Sequence, residues 1–370
     1  MSNGLAIFTQ DLGASFIDKH IADLLPGRTV ALGNYGHIGE LAGLWPAPCP
    51  VFLLDQWATR LSIRLAARAG ISKVRLRDAA AARFLRAHGV SVVLGEYLDQ
   101  FLEFVPLIER MGLPYVVQGH GIDVSAALRK PGMAERYLGY KSAKAILTRS
   151  EFHRQRLIKI GLPEEKIHVN PGGVNVPPHP PRRGIDAGSR LLAVGLMVPK
   201  KGPIYLLEAF RRASARDRNI SLDFIGGGPL FPAVRQFIAA CGLEGRVRLH
   251  GIASEETKKR LFQECGVFVQ HSLTVPETGD EEGLPAAIQE AMAYGMAVVS
   301  TRHAGIPEAV IEGATGLLVD EGDVGGMAEA FLKIRPTAAE MGNAGHSEAL
   351  SKHAWRHEKA RLSRWLFGSG

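Results

Sequence analysis

Only three cysteines, Cys49, Cys241 and Cys265, are spread through 370 residues. They are odd in number, far apart and form no CxxC pair. That argues against a disulfide framework and a structural zinc site, and suits small thiols in a reducing cytoplasm. No uncharged apolar run reaches the roughly 18 residues that a membrane-spanning helix needs. The start, MSNGLAIFTQDLG, has no basic stretch ahead of its apolar residues, so no signal peptide is read there. Low-complexity arrays and disordered tails are missing as well. A complete GxGxxG is also lacking. Gly226-Gly227-Gly228-Pro229 follows a strand pattern, but Phe231 stands where the third glycine belongs. Without that fingerprint, and without its acidic residue about 20 positions on, an NAD-dependent oxidoreductase is not supported.

What is present is ordinary in bulk. Hydrophobic residues make up 46% and charged residues 22%, as in soluble globular proteins. The length exceeds what one core usually serves, so two domains are expected. The net charge of +7 permits an anionic partner, whether nucleotide diphosphate, anionic lipid or nucleic acid. Positive charge concentrates over 56–88. Arg60, Arg64 and Arg68 are spaced to line one helical face, and Lys73, Arg75, Arg77, Arg83 and Arg86 extend the region against Asp78 alone. Two readings fit: a solvated helical face, or a patch for an anionic membrane or acceptor. Few aromatic residues lie among these cations, so a single-strand nucleic-acid platform is not expected.

Along the chain, short apolar runs rich in β-formers alternate with helical spacing, the pattern of a parallel sheet covered on both faces. Strands are expected at Leu5–Thr9, Thr29–Leu32, Val51–Leu54, Ser91–Gly95, Pro114–Val117, Ala145–Thr148 and Lys166–Val169. Helices are expected at Ala14–Leu25, Asp99–Met111, Tyr137–Lys144 and Glu151–Ile160, the last capped by Ser150. The dozen residues VPPHPPRRGIDA are the most proline-dense in the chain and read as a linker. They place a boundary near 180, between an N-terminal domain over 1–180 and a C-terminal one over 181–352. In the second half, strands are expected at Leu191–Gly195, Leu222–Ile225, Val247–His250, Val267–Gln270 and Ala297–Ser300. Helices are expected over Ile204–Ala215 and, capped by Ser254, Glu255–Glu264. The last segment, from His353, carries Trp355, Leu362, Trp365 and Leu366 at helical spacing and needs a docking surface.

Two spots stand out chemically. In Gln118-Gly119-His120-Gly121-Ile122-Asp123, a histidine follows the carboxyl end of a strand, where parallel sheets bind ligands. By itself His120 fits either a structural hydrogen bond or a ligand contact, and Asp123 reads as a cap for the following segment. The second spot runs from Val275 to Val319. Glu282-Gly283-Leu284-Pro285 opens a helical pattern that carries Glu290, with Pro285 expected in its first turn. Free N–H groups and the helix dipole there favour an anion, and two carboxylates lie close by.

Taken together, EGLPAAIQEAMAYG, VVSTRHAGIPEAVIEGATGLLV, LDFIGGGPL, KKG, QGHGID and LTRSEFHRQRLIKIGLPEEKIHVNPGGVN resemble family 4 of the retaining glycosyltransferases. The resemblance is dense from about 114 to 331 and thin before that. It implies the α/β GT-B architecture, two Rossmann-like domains facing a central cleft. The donor would sit mainly on the C-terminal domain and the acceptor mainly on the N-terminal one, with the helix of 353–370 crossing back onto the latter.

The resemblance also implies a nucleotide diphosphate sugar, UDP- or GDP-linked, as donor, a saccharide or lipid-linked acceptor, and neither cofactor nor divalent metal. Nucleic acid is not an expected partner. A cytoplasmic location is expected, with peripheral contact at the inner face of an anionic membrane. Glu290 would hold the ribose hydroxyls, as a carboxylate facing a vicinal diol can. Glu282 would contact the transferred sugar, and Gly283, Leu284 and Pro285 would bring the helix start to the diphosphate. Lys201 would neutralise the departing diphosphate, and His120 would lie near the reacting sugar. Gly13 would form a tight turn by the donor phosphates. One departure is plain: where the family has Gly-Arg after the linker strand, this chain has Gly195-Leu196, with Lys200 the nearest substitute cation. That departure leaves an inactive sugar-nucleotide-binding or membrane-associated scaffold as the alternative.

Overall fold

A computed structural model describes residues 4–9, 15–33, 49–54, 68 and 70–368. The chain divides into two compact units. The first comprises Met1–Thr148, Arg154–Asn170 and Lys359–Gly370, and the second Arg149–His153 and Pro171–Glu358.

The first unit is built on a seven-stranded sheet. Its strands are β1 (Gly4–Thr9), β2 (Thr29–Gly33), β3 (Val51–Leu53), β4 (Val90–Glu96), β5 (Tyr115–Gln118), β6 (Ala145–Thr148) and β7 (Ile167–Val169). All pairs are parallel, in the order β3-β2-β1-β4-β5-β6-β7. The second unit repeats the plan with β8 (Arg190–Val194), β9 (Ser221–Ile225), β10 (Val247–Gly251), β11 (Val267–Val269), β12 (Ala297–Thr301) and β13 (Gly316–Val319). Their order is β10-β9-β8-β11-β12-β13, again parallel throughout. In both sheets the chain winds outward from one central strand and then returns to its other side. The switch points lie between β1 and β4 and between β8 and β11, and doubly wound sheets take ligands at the carboxyl ends of such strands.

Parallel strands covered on both faces must be apolar on both sides, and they are. Along β1, Ala6 and Phe8 enter one core and Leu5 and Ile7 the other. Along β12, Ala297 and Val299 face one core and Val298 the opposite one. These two-residue alternations are what period 2 requires of a strand.

Each strand expected from the sequence appears, shifted by a residue or two at its ends. Ser150 and Ser254 cap their helices as expected, accepting the N–H of His153 at 3.3 Å and of Thr257 at 3.2 Å. Three expectations need correction. The helix expected over Asp99–Met111 is three pieces, Leu98–Phe101, a 3-10 turn at Leu102–Phe104 and Val105–Arg110. Pro106, which lacks an N–H and crowds the carbonyl four residues back, breaks it. Tyr137–Lys144 is likewise divided, with an α-helix over Met133–Tyr137 and a 3-10 stretch over Leu138–Ser142. Pro285 is the extended N-cap (φ −63°, ψ 120°) of the helix Ala286–Ala293, not a residue of its first turn. Helices at Phe231–Ala240, Val324–Lys333 and Ala338–Glu348 were not anticipated, the last two because Gly and Ala blur their periodicity.

The proline-dense stretch lies within the second unit, and Arg183 ties its neighbourhood down. Its guanidinium donates to the carbonyls of Gly295 (2.9 Å), Phe262 (2.8 Å) and Tyr294 (2.6 Å), the last turns of two helices. Those carbonyls have no intrahelical donors, and a planar fork suits several of them at once. The final helix, Trp355–Phe367, follows a π turn at Ala349–His353. From Lys359 on it belongs to the first unit, where Leu362 and Leu366 complete a core and Trp365 stacks on His168 with ring centres 3.9 Å apart.

Candidate functional site

In the second unit, the loops after β8, β11, β12 and β13 assemble one polar cluster, with the β9 loop packed against that of β8. The β8 loop turns through Gly202 in a left-handed conformation (φ +48°), where a Cβ would meet the His271 carbonyl at 2.2 Å. The turn demands glycine and sets the course of the two lysines before it. Lys201 Nζ lies 2.8 Å from Glu282 Oε1. Lys200 Nζ contacts Asp280 Oδ1 at 3.1 Å and the Glu281 carbonyl at 3.4 Å. Gly226 sets the β9 loop against the β8 loop, since a Cβ there would come within 1.9 Å of the Gly195 carbonyl. The glycine cluster that failed as a dinucleotide fingerprint is therefore a loop-packing device.

Glu282 is buried at 8% exposure. Burial opposes its ionisation, but Lys201 and Lys200 outweigh that and hold its carboxyl below the ordinary carboxylate value. Its backbone N–H donates to His303 Nε2 at 3.1 Å, and His303 Nδ1 faces Glu321 Oε1 at 2.6 Å. An N–H aimed at Nε2 needs a lone pair there, so the His303 proton sits on Nδ1. His271, fully buried, follows the same logic: Nε2 takes the Gly322 N–H at 2.9 Å, and Nδ1 faces Met327 Sδ at 3.3 Å. Burial pushes its pKa down to about 4.

Gly283 and Leu284 continue into the helix start at Ala286, which carries no side-chain cap. The Gly283 carbonyl takes the Gly305 N–H at 3.1 Å, and Leu284 is packed into a core. Glu290, on that helix, is held by Lys258 at 3.0 Å. The Lys201–Glu282 and Lys258–Glu290 pairs are separate contacts, and each engages a residue singled out from sequence. Leu196, where the family carries arginine, is 63% exposed.

His120 belongs to the first unit. Its Nε2 lies 2.7 Å from Glu96 Oε2, and Glu96 Oε1 lies 2.7 Å from His20 Nδ1. Glu96 ends β4 and is completely buried. Burial opposes its ionisation, yet the two imidazoles keep its carboxyl far below the usual range. Next to it, Tyr97 takes a left-handed φ of +62°, a strained state for a residue with a side chain, and its ring lies 4.4 Å from that of His120. Asp123 is a cap, but for another segment: it accepts the N–H groups of His120 and Gly121 in its own loop and of Leu98 at a helix start.

Sequence reading missed Glu96, Tyr97, Lys258, Asp280 and Glu321. Only Glu96 carried a signal, as a charged residue closing an apolar strand beside the sheet's switch point. In the basic region, Arg77 is not a free surface cation, because it pairs with Asp78 and Glu103 at 3.1 Å each and lies over the Phe104 ring. Arg68 is exposed. Gly13, Arg60 and Arg64 lie outside the described residues. Among the described residues, no group of three His, Cys, Asp or Glu side chains is arranged to hold a metal ion. No helix among them is long and apolar enough to cross a membrane.

Two family models match: glycosyl transferases group 1 over residues 182–346 and glycosyltransferase family 4 over 50–176. The amylovoran biosynthesis glycosyltransferase AmsK of Erwinia amylovora is 33% identical over 60% of this chain, an alignment that spans only 55% of AmsK. The GDP-mannose-dependent alpha-(1-6)-phosphatidylinositol monomannoside mannosyltransferase of Mycolicibacterium smegmatis is 31% identical over 71% of this chain and 72% of that protein. Among solved structures, Anabaena HepE in complex with UDP superposes with a TM-score of 0.78 at 17% identity, covering 98% of this chain and 99% of that one. The two doubly wound parallel sheets are those of the α/β GT-B fold. The chain belongs to the group 1, family 4 glycosyltransferases.

Proposed function

We propose that this chain is a retaining glycosyltransferase that moves a sugar from a nucleotide diphosphate sugar to a saccharide or glycolipid acceptor in surface polysaccharide or lipopolysaccharide synthesis. The observation that carries the reading is the Lys201–Glu282 pair, 2.8 Å apart at the carboxyl edge of the second sheet, with an uncapped helix start four residues beyond Glu282. Uncapped N–H groups and a free helix dipole favour a diphosphate. The phosphate would draw Lys201 from Glu282, freeing that carboxylate to accept from the sugar hydroxyls. Glu290 would exchange its lysine contact for the ribose diol. Lys200 supplies a second cation in place of the family arginine. The relatives speak for both bases, since one is GDP-mannose-dependent and the HepE structure holds UDP.

In the step itself, the bond between anomeric carbon and phosphate oxygen breaks and the acceptor oxygen bonds to that carbon on the same face. The acceptor proton passes to the departing diphosphate, so no protein nucleophile is required. The chain's part is to position both substrates and to offset the charge on the leaving group, which Lys201 does. Replacing Lys201 with Ala should lower kcat on the order of 10²- to 10³-fold, as removal of one oxyanion donor does elsewhere, with UDP-glucose and GDP-mannose as trial donors. Unchanged turnover would overturn the role. Because two cations and a helix start supply the positive charge, the reaction is expected to survive EDTA.

The exposed basic side chains Arg68 and, on the helix Lys73–Ala87, Lys73, Arg75, Arg83 and Arg86 would serve peripheral contact with anionic membrane. Long basic side chains on a helix favour that surface by about 1 kcal/mol each near the headgroups.

A further inference from the structure

Arg361, Asn170, Gln118, Glu96 and His120 form one hydrogen-bonded chain inside the first unit. Arg361 Nε donates to Asn170 Oδ1 at 2.9 Å. Asn170 Nδ2 donates to Gln118 Oε1 at 2.7 Å, and Gln118 Nε2 donates to Glu96 Oε2 at 3.3 Å. The same carboxylate oxygen takes His120 Nε2 at 2.7 Å. Asn170 is 1% exposed, and Gln118 and Glu96 are fully buried.

Two amides in series could each point either way, but the ends of this chain allow one direction only. A guanidinium has no acceptor, so Asn170 must turn its oxygen toward Arg361 and its nitrogen inward. Gln118 must then meet that nitrogen with its oxygen and turn its own nitrogen to Glu96. An ionised carboxylate only accepts, so His120 must present an N–H at Nε2. Whenever the ring is neutral, its lone pair is therefore on Nδ1. The tautomer of this loop histidine thus follows from the Glu96 carboxylate, and the amide that donates to Glu96 is oriented by Arg361, 241 positions from His120 on the last helix. Glu96 is also gripped from its other oxygen by His20, and the Tyr97 ring limits rotation of the imidazole.

We propose that Glu96 is a positioning residue for His120 that fixes the tautomer it presents, and that Arg361 supports Glu96 by keeping Asn170 and Gln118 turned so that Gln118 donates to that carboxylate. The proposal rests on the reading that His120 serves sugar transfer, and the two can be tested apart.

The tautomer is read without any ligand, from imidazole 15N shifts in uniformly labelled full-length protein. Wild type should show His120 protonated at Nε2. Glu96→Gln removes the obligate acceptor and should give a mixed tautomer. It should also lower kcat on the order of 10²-fold, the cost of a misplaced group, with donor KM within about twofold. Nucleotide release from UDP-glucose and GDP-mannose is the assay. Arg361→Ala should move both readouts in the same direction by less, and Arg361→Lys, which keeps a donor, should restore part of the loss. Glu96→Gln protein with wild-type melting, an unchanged tautomer and unchanged kcat overturns the proposal. Should that variant not fold, Arg361→Ala decides by the same two readouts. His120→Ala at full turnover would instead remove the role of His120 and leave the tautomer test standing.

Discussion

At the residue scale, the second-unit cluster consists of charges in low-dielectric surroundings, each with a stated counterpart. Glu282 stays ionised because two lysines outweigh its burial. Among the histidines, His271 behaves in the opposite sense, since its burial favours the neutral ring and lowers its pKa from 6.5 to about 4. The unfolded chain therefore binds a proton there that the folded one refuses between those values, so folding stability falls as pH drops from 6.5 to about 4. In His271→Asn, the slope of melting temperature against pH across that window should be shallower than in wild type. An equal slope would show that His271 is not the residue responsible. The carboxylates Glu96 and Glu282, both depressed, contribute stability that is complete above their ordinary value of 4.5 and lost only as pH falls further.

At the element scale, strands were easy to read and helices harder. Runs such as AVVST and LLAV signal a two-sided buried strand without help from anything distant. Over 98–110 the helical spacing runs on through Pro106 although the segment is three pieces, and the glycines of Val324–Lys333 and Ala338–Glu348 hide the periodicity of those helices. The last helix shows what periodicity can and cannot say. Its apolar spacing announced a buried face, but not which surface would bury it. Leu362 is fully enclosed with Ile17, Ile21 and Leu94 in a core of the first unit. Leu362→Ala should cost about 2–5 kcal/mol of unfolding free energy in guanidinium titrations, with the midpoint lowered and the slope kept. A change under about 1 kcal/mol would mean that the helix contributes little to that core.

At the scale of the whole molecule, two sheets with separate cores make two candidate folding units, so unfolding need not be a single transition. A nucleotide held by loops of the second unit should raise the transition of that unit first. UDP, GDP and ADP, each at 100 times its dissociation constant, should add about 2.7 kcal/mol if they bind only the folded state. Hydrogen exchange should slow at 200–202 and 281–290 when the effective base is present. Protection elsewhere, with none in those loops, would detach the Lys201–Glu282 cluster from nucleotide binding. Sedimentation with vesicles should detect the chain on anionic lipid and not on neutral lipid, with binding weakened by salt.

From sequence alone came the alternation of strands and helices, the α/β class and the capping serines, and the resemblance to the family drew Lys201, Glu282, Glu290 and His120 forward as candidates. Each of these is local: a two-residue period, a cap at fixed spacing, a motif within one loop. Tertiary structure decided the rest, because the partners lie far apart in the chain. It paired Lys201 with Glu282 and Lys258 with Glu290, and it drew the proline-rich stretch into the second unit through Arg183. It also placed Glu96 between His20 and His120, with Arg361 at the far end of the same hydrogen-bonded chain. A period or a cap is a property of neighbours, whereas the charge state of a buried carboxylate depends on everything the fold packs against it.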